Sequence, residues 1–446
     1  MKTAPHTKVI TRFPPSPTGF LHIGGARTAL FNYLFTKKNN GSIILRLEDT
    51  DTARYKKEFE DSITQGLAWL GIVFDNQKPF KQSERTDSYR SHLKTLVKSG
   101  AAYLSKETEG ERNEVIRFKN PNKKVTFQDL VRGEVSFDTV DLGNFVIAKS
   151  LEEPLYHLAV VVDDFDMNIT HVIRGEDHIS NTPRQILLQE ALGFPRPQYT
   201  HIPLILAPDR SKLSKRHGAT SIESYRELGY LPEAVINYLA LLGWNPGTDQ
   251  EIFSLPELVE QFDLAKVQKS GAIFNVEKLN WFNRHYMQKL SSEEKLAYLK
   301  EFVSGKQLQI LKANPKIIEL MSERATTFGE LRGLITSDEY DYFFGKPVYE
   351  KKVLLWKGQE DFAKTKNRLS AAQKLLENIP TDSFNKLAIK DALWPFAEKE
   401  GRGEVLWPLR VSLSGKEKSP DPFILAEMLG REEALARITS AINLLS

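Results

Sequence analysis

Arg12-Phe13-Pro14-Pro15-Ser16-Pro17-Thr18-Gly19-Phe20-Leu21-His22-Ile23-Gly24-Gly25-Ala26-Arg27-Thr28 leads from an apolar strand, through a loop stiffened by three prolines, into a helix. Lys8 to Phe13 reads as a short buried strand, and the prolines fix φ and end the ladder. Gly24 and Gly25 carry no Cβ, so an anion can approach a helix start where unpaired N–H groups and the helix dipole favour it. His22 stands at the same place. Taken alone it could as well be a structural histidine in a glycine turn.

A second stretch, Pro208-Asp209-Arg210-Ser211-Lys212-Leu213-Ser214-Lys215-Arg216-His217-Gly218, follows the apolar run His201 to Leu206. Its two lysines, three apart and followed by Arg, make a cation cluster suited to a polyphosphate. Alone it could be a solvated charge run. In this order, the two stretches resemble the paired His-Ile-Gly-His and Lys-Met-Ser-Lys-Ser elements of class I aminoacyl-tRNA synthetases. Arg46-Leu47-Glu48-Asp49-Thr50-Asp51, Tyr156-His157-Leu158-Ala159, Val172-Ile173-Arg174-Gly175-Glu176-Asp177-His178, Leu231-Pro232-Glu233-Ala234 and Trp407-Pro408-Leu409-Arg410-Val411 continue the likeness, which is to the bacterial glutamyl-tRNA synthetases and spans almost the whole chain.

Composition sets the bounds. With 446 residues and 41% hydrophobic residues, the chain is sized for about three globular domains. No apolar run approaches the roughly 20 residues that span a bilayer, and the polar start lacks a signal peptide's apolar stretch. A cytoplasmic protein without a membrane partner is expected. The absence of cysteine excludes disulfides and thiolate-bound zinc. The nine histidines show no metal-site spacing, so no protein-bound metal is expected. Because 58 acidic residues almost cancel 61 basic ones, any RNA must be held by local patches. One such stretch is Lys351, Lys352, Lys357, Lys364, Lys366 and Arg368, interleaved with Trp356 and Phe362. It reads either as phosphate contacts beside stacking faces or as the solvated face of an amphipathic helix.

The first 75 residues read β-α-β-α, half of a doubly wound parallel sheet. Ligands gather outside the carboxyl ends of such strands, where Arg12 to Ser16 and Glu48-Asp49 both fall. Residues 76–155 read as an insertion of short strands after one helix, with a bend at Arg132-Gly133. Strands are then expected at 156–162, 171–174 and 201–206, and a helix at 183–192 capped by Thr182. The chain beyond is mainly helical. The expected fold is therefore an α/β Rossmann-type catalytic domain with an inserted α+β domain and an all-α C-terminal half. The resemblance implies a catalytic domain at 1–75 and 156–215, an acceptor-end-binding insertion at 76–155, a stem-contact domain at 216–300 and helical anticodon-binding domains at 301–446.

The resemblance also implies roles. A glutamate pocket would be lined by Arg12, Ser16, Glu48, Tyr156 and Arg174, with the arginines for the carboxylates and Glu48 for the ammonium; Arg's planar fork suits a carboxylate better than Lys does. Arg174 could otherwise form a surface pair with Glu176 or Asp177. ATP would face His22, Gly24, Asp177, the backbone near Ile205, Lys212 and Lys215, of which His22, Lys212 and Lys215 would be catalytic. Activation builds charge on phosphate oxygens, so pre-placed donors and cations matter more than covalent chemistry. Mg²⁺ would come with ATP, held mostly by phosphates and water. No zinc is expected.

The implied activity is ATP-dependent ligation of L-glutamate to tRNA(Glu) by a monomer. Rival readings are an enzyme that also charges tRNA(Gln), a truncated relative that modifies a tRNA base, and a catalytically dead RNA-binding paralogue. The helical half argues against the second, and intact His22, Lys212, Lys215, Glu48 and Arg174 against the third. Two departures stand out. The segment 104–115 is shorter than in many relatives, and Val160 stands where some carry Asn. The resemblance implies that Arg324 stands where discriminating relatives carry an arginine near the third anticodon base, C in tRNA(Glu) and G in tRNA(Gln); it has only donors, which suits C. A solvated helix arginine is the alternative, without a helical ion pair because Leu320, Met321, Thr327 and Phe328 lie three and four residues away.

Overall fold

Thr11, Arg12 and Phe13 are buried, and the strand they form stops where the prolines begin. In this computed structural model the described residues are 8–51, 53–107, 114–214, 220–300 and 302–446. The first elements are β1 (Ile10–Phe13), α1 (Ile23–Lys38), β2 (Ser42–Leu47), α2 (Lys57–Trp69), β3 (Phe80–Lys81) and α3 (Thr86–Lys98). Then come β4 (Ala102–Lys106), β5 (Glu114–Phe118), β6 (Lys124–Asp129), β7 (Gly133–Asp138) and β8 (Phe145–Ala148). Next are α4 (Tyr156–Asp166), β9 (His171–Gly175), α5 (Thr182–Leu192), β10 (Gln198–Ile202) and β11 (Ile205–Leu206). The series continues with α6 (Ile222–Glu227), α7 (Pro232–Leu241), α8 (Leu255–Gln261) and β12 (Ala272–Ile273).

β2 runs parallel to both β1 and β3, with Arg12 opposite Ile44 and Arg46 opposite Phe80. On the other side of β1 lies β9, where Thr170 N–H donates to Ile10 O at 2.9 Å. β10 pairs parallel with β9 and meets β6 at Tyr199 and Asp129. The chain order reverses between β1 and β9, the switch point at which open α/β sheets bind ligands. The residues read as an insertion thus lend β3, β6 and β7 to the catalytic sheets. β4, β5 and β8 form an antiparallel sheet of their own. Leu93, Phe118, Ile147, Leu158, Leu187 and Tyr199 bury together in one core, which joins that sheet to α3, α4 and α5. Gly133, at φ 84°, makes the β6–β7 turn that a side chain would strain.

Three local expectations are corrected. Residues 156–162 are helical, not a strand. Leu158 through Asp164 are all buried, so the run has no polar face from which periodicity could be read, and packing overrides its β-branched composition. Thr182 does not cap α5. The preceding residues 176–181 already form a 3₁₀ turn that runs into the helix, which leaves the threonine hydroxyl for a buried partner. The strand expected at 201–206 is two pieces, because Pro203 breaks the ladder and β11 pairs with β12 instead.

The chain divides into two compact units, Met1–Asn283 and Arg284–Ser446. In the second unit, helices Ser292–Leu299 and Gly305–Ala313 both start with capping boxes, Ser291 with Glu294 and Ser304 with Gln307. Helices Phe362–Glu377, Lys386–Glu400, Arg402–Ser414, Pro422–Leu429 and Arg431–Leu444 pack around buried Leu369, Leu393, Leu409, Leu425 and Ile438. Among the described residues no helix is long and apolar enough to cross a membrane.

Candidate active site

A cavity of about 400 Å³ opens at the switch point. Its walls include Arg12 at the end of β1, His22 and Gly24 at the start of α1, and Glu48 just past β2. Tyr156, Arg174, Asp177, Ile205 and Lys212 complete the set expected from sequence, save two residues. Ser16 is exposed and lines a neighbouring cavity that shares Glu48 and Tyr156. Lys215 lies outside the described residues.

His22 is the N-cap of α1, and its Nδ1 accepts from Gly24 N–H at 3.1 Å, which leaves the proton of a neutral ring on Nε2. Leu21 to Ile23 lie against Thr220 to Ile222, with Ile23 N–H donating to Thr220 O and Ile222 N–H to Leu21 O. Leu213 N–H donates to Ile205 O, so both described flanks of the lysine loop are tied to the cavity wall. A Cβ at Gly24 or Gly25 would meet protein atoms only at 3.4 Å or beyond; packing within the protein does not demand these glycines. Lys212 reaches Asp177 at 3.1 Å in an exposed pair at the cavity mouth, the kind worth little to stability.

The floor is ionic and buried. Arg12 Nε donates to Asp164 at 3.1 Å, and Arg46 Nη1 to the same carboxylate at 2.8 Å. Arg46 also reaches Glu48 at 3.4 Å and lies 3.6 Å from Asp163. Asp163, wholly buried, accepts from Gln82, Arg85 and the Tyr89 hydroxyl. Burial opposes ionisation of Asp164, but Arg12 and Arg46 outweigh it and hold the carboxyl below its ordinary range. Glu48 goes the other way: burial pushes it up to about 7, against the pull of Arg46 and Arg12. Burial likewise raises Tyr156 to about 12; its hydroxyl lies 3.2 Å from His178 Nδ1.

Arg174 is also buried and pairs with neither Glu176 nor Asp177, which corrects the surface-pair alternative. Its Nε donates to His201 and its Nη2 to Thr182. Arg12 Nη1 and Arg174 Nη1 are buried and have no hydrogen-bond partner among the described residues. Two unsatisfied guanidinium donors on residues that line one cavity suit a receptor for anionic oxygen, since an orphaned buried donor carries its full desolvation penalty. Glu48 adds an acceptor for a cation.

Arg46, Asp164, His178 and Arg27 were not singled out from sequence. Arg46 lies two residues before Glu48 at the end of β2, a period-2 spacing that could flag it. Arg27 donates to Leu242 O and Pro203 O, and burial lowers it to about 10. In the second unit, Trp356 packs against Trp407, Lys351 lies over the Phe362 ring, and Arg368 pairs with Glu404. Trp356 and Phe362 are half-buried. Arg324 does have an ion pair, with Glu339, and donates to the Tyr340 hydroxyl at 2.7 Å. Both partners lie in a later segment, so helical spacing could not reveal them.

The catalytic domain of tRNA synthetases class I (E and Q) matches residues 8–114 and 104–281, and an anticodon binding domain matches 271–442. The chain is 40% identical to a glutamate–tRNA ligase of Carboxydothermus hydrogenoformans, over 98% of this chain and 100% of that one. It is 42% identical to glutamate–tRNA ligase 2 of Coxiella burnetii, over 97% of each. A crystal structure of a glutamate tRNA ligase from Elizabethkingia meningosepticum CCUG26117, in complex with its amino acid, superposes with a TM-score of 0.82 at 36% identity, covering 99% of this chain and 100% of that one.

Proposed function

The chain belongs to the class I tRNA synthetases of the glutamate type and ligates L-glutamate to tRNA(Glu) through glutamyl-adenylate, releasing AMP and pyrophosphate; from that premise we propose how its residues divide the work. Arg12 and Arg174 take the substrate's carboxylates, Glu48 takes its ammonium, and Tyr156 closes the pocket wall beside them. Ser16 borders the same substrate from the neighbouring cavity. The supporting observation is the pair of buried, unpaired Nη1 donors beside a carboxyl that burial has pushed up. An arriving ammonium favours the Glu48 carboxylate, and arriving carboxylates relieve the arginines.

One substrate carboxylate oxygen attacks the α-phosphorus of ATP, and the bond to pyrophosphate breaks. Charge grows on phosphate oxygens, and the protein answers with the Nε2 proton of His22, the positive end of the α1 dipole, and Lys212 and Lys215. Asp177 and the Ile205 backbone border the nucleotide. Lys212 exchanges Asp177 for phosphate, an inexpensive exchange for an exposed pair. In the second step the terminal ribose hydroxyl of tRNA attacks the adenylate carbonyl and expels AMP.

Mg²⁺ would neutralise phosphate charge when bound with ATP. Phosphate oxygens and water would supply most of its ligands. We further propose a cytoplasmic monomer without zinc, with an acceptor-end-binding insertion at 76–155, a stem-contact region at 216–300 and anticodon-binding helices at 301–446. Arg324, presented at the surface by Glu339 and Tyr340, would favour tRNA(Glu) over tRNA(Gln). Charging of separate tRNA(Glu) and tRNA(Gln) transcripts tests this choice: equal glutamylation of both refutes it.

A further inference from the structure

Arg174 is a buried cation that touches no carboxylate. Its Nε donates to His201 Nε2 at 3.1 Å, its Nη2 to Thr182 Oγ1 at 2.8 Å, and the Tyr199 ring lies 5.8 Å from its guanidinium carbon. His201 accepts there only if its ring proton sits on Nδ1. Asp129 secures that tautomer: one of its oxygens lies 2.7 Å from His201 Nδ1 and also accepts the His201 backbone N–H at 3.0 Å. Its other oxygen accepts the Val131 and Arg132 N–H groups of the β6–β7 turn at 3.0 and 2.8 Å. Both the Asp129 and His201 side chains are wholly buried.

This arrangement does something a direct ion pair could not. A carboxylate placed on Arg174 would satisfy the cation and compete with the substrate. An interposed neutral imidazole fixes the guanidinium plane through Nε and leaves its charge uncompensated. With the opposite tautomer two donors would face each other, and Arg174 would have to turn.

We propose that Asp129 and His201 are positioning residues for glutamate recognition, a relay running from the β6–β7 turn that holds Arg174 with Nη1 toward the substrate carboxylate. It rests on the reading of Arg174 as a carboxylate receiver.

Steady-state charging by the full chain, with kcat/KM measured separately for glutamate and ATP, tests it. His201→Leu removes the acceptor, and kcat/KM for glutamate falls about 10²-fold, the scale of a misplacement near 1 Å, mainly through KM; kcat/KM for ATP holds within about threefold. His201→Gln, whose amide oxygen can reach the Nε2 position, recovers about tenfold of that loss. Asp129→Asn, which cannot accept on all four sides, falls about tenfold or more for glutamate, and it carries the test should the leucine variant not fold. In an Arg174→Gln background His201→Gln and Asp129→Asn each add less than about threefold, because the relay has nothing left to orient. Wild-type glutamate kinetics in the His201 and Asp129 variants, equal losses for ATP and glutamate, or full additivity with Arg174→Gln overturns the relay. If Arg174→Gln itself leaves glutamate kinetics unchanged, the pocket reading fails first.

Discussion

Arg174 and Arg437 are both buried arginines, and they could hardly be used more differently. Arg437, in the helical unit, donates to Leu413 O at 2.6 Å, to Gly345 O at 3.1 Å and to Glu433 at 2.8 Å. Each of its three nitrogens has a protein acceptor, so the cation stitches helix to loop and no nitrogen is left unpartnered. Arg174 and Arg12 each keep one buried donor without a partner among the described residues. Arg46 Nε, Arg27 Nε and Arg410 Nε have no hydrogen-bond partner among the described residues either, so what sets Arg12 and Arg174 apart is that the nitrogen left over is a terminal one on a residue lining the cavity, where a bound anion would offset the cost of burying the charge.

The largest expected effect lies on the unsaturated side. Arg174→Gln lowers kcat/KM for glutamate by about 10³ or more, read by charging of tRNA(Glu), while the melting temperature stays close to wild type. The wild-type enzyme rejects free glutamine by on the order of 10⁴, because an amide leaves guanidinium donors unpaired. Lys215→Ala lowers adenylate formation by about 10² to 10³ with tRNA affinity little changed, seen in pre-steady-state activation beside a binding titration. On the saturated side the signature inverts. Arg437→Met lowers stability by about 2–3 kcal/mol in urea unfolding, yet activity per folded molecule is kept.

A smaller effect concerns His157, half-buried with a buried Nδ1 that has no hydrogen-bond partner among the described residues, whose pKa burial first and then the neighbouring arginines push down to about 4. The unfolded chain takes up this proton near the ordinary histidine value of 6.5, the folded one only near 4. Stability contributed by the neutral ring is therefore whole above 6.5 and is lost as pH falls from 6.5 toward 4. His157→Gln makes the stability profile shallower over that window; an unchanged slope refutes the assignment. The smallest effect is at Arg324. Arg324→Gln is expected to narrow the ratio of tRNA(Glu) to tRNA(Gln) charging by about tenfold with total activity kept, and an unchanged ratio removes the residue from anticodon reading.

What could be read in advance follows the same divide. Arg12, His22 and Glu48 sit at a strand end, a helix start and a strand end, where residue order alone announces an anion site. Arg174 needed the resemblance, since its sequence neighbours Glu176 and Asp177 suggested a surface pair that the fold does not form. Its real partner His201 lies 27 residues on, and Asp129 lies 72 residues before His201; no periodicity links such positions. Helix α4 was hidden because burial on every side erased the polar stripe that periodicity requires. Arg324 drew its acidic neighbour from Glu339, 15 residues on, beyond any helical spacing. Motifs record local geometry well, whereas buried polar networks are a property of tertiary packing.

The most direct measurement is a crystal structure of this enzyme with L-glutamate bound. Carboxylate oxygens within about 3 Å of both Arg12 Nη1 and Arg174 Nη1, with the ammonium against Glu48, are the expected result. Glutamate seated elsewhere, or bound with either of those two nitrogens still unpaired, would contradict the assignment.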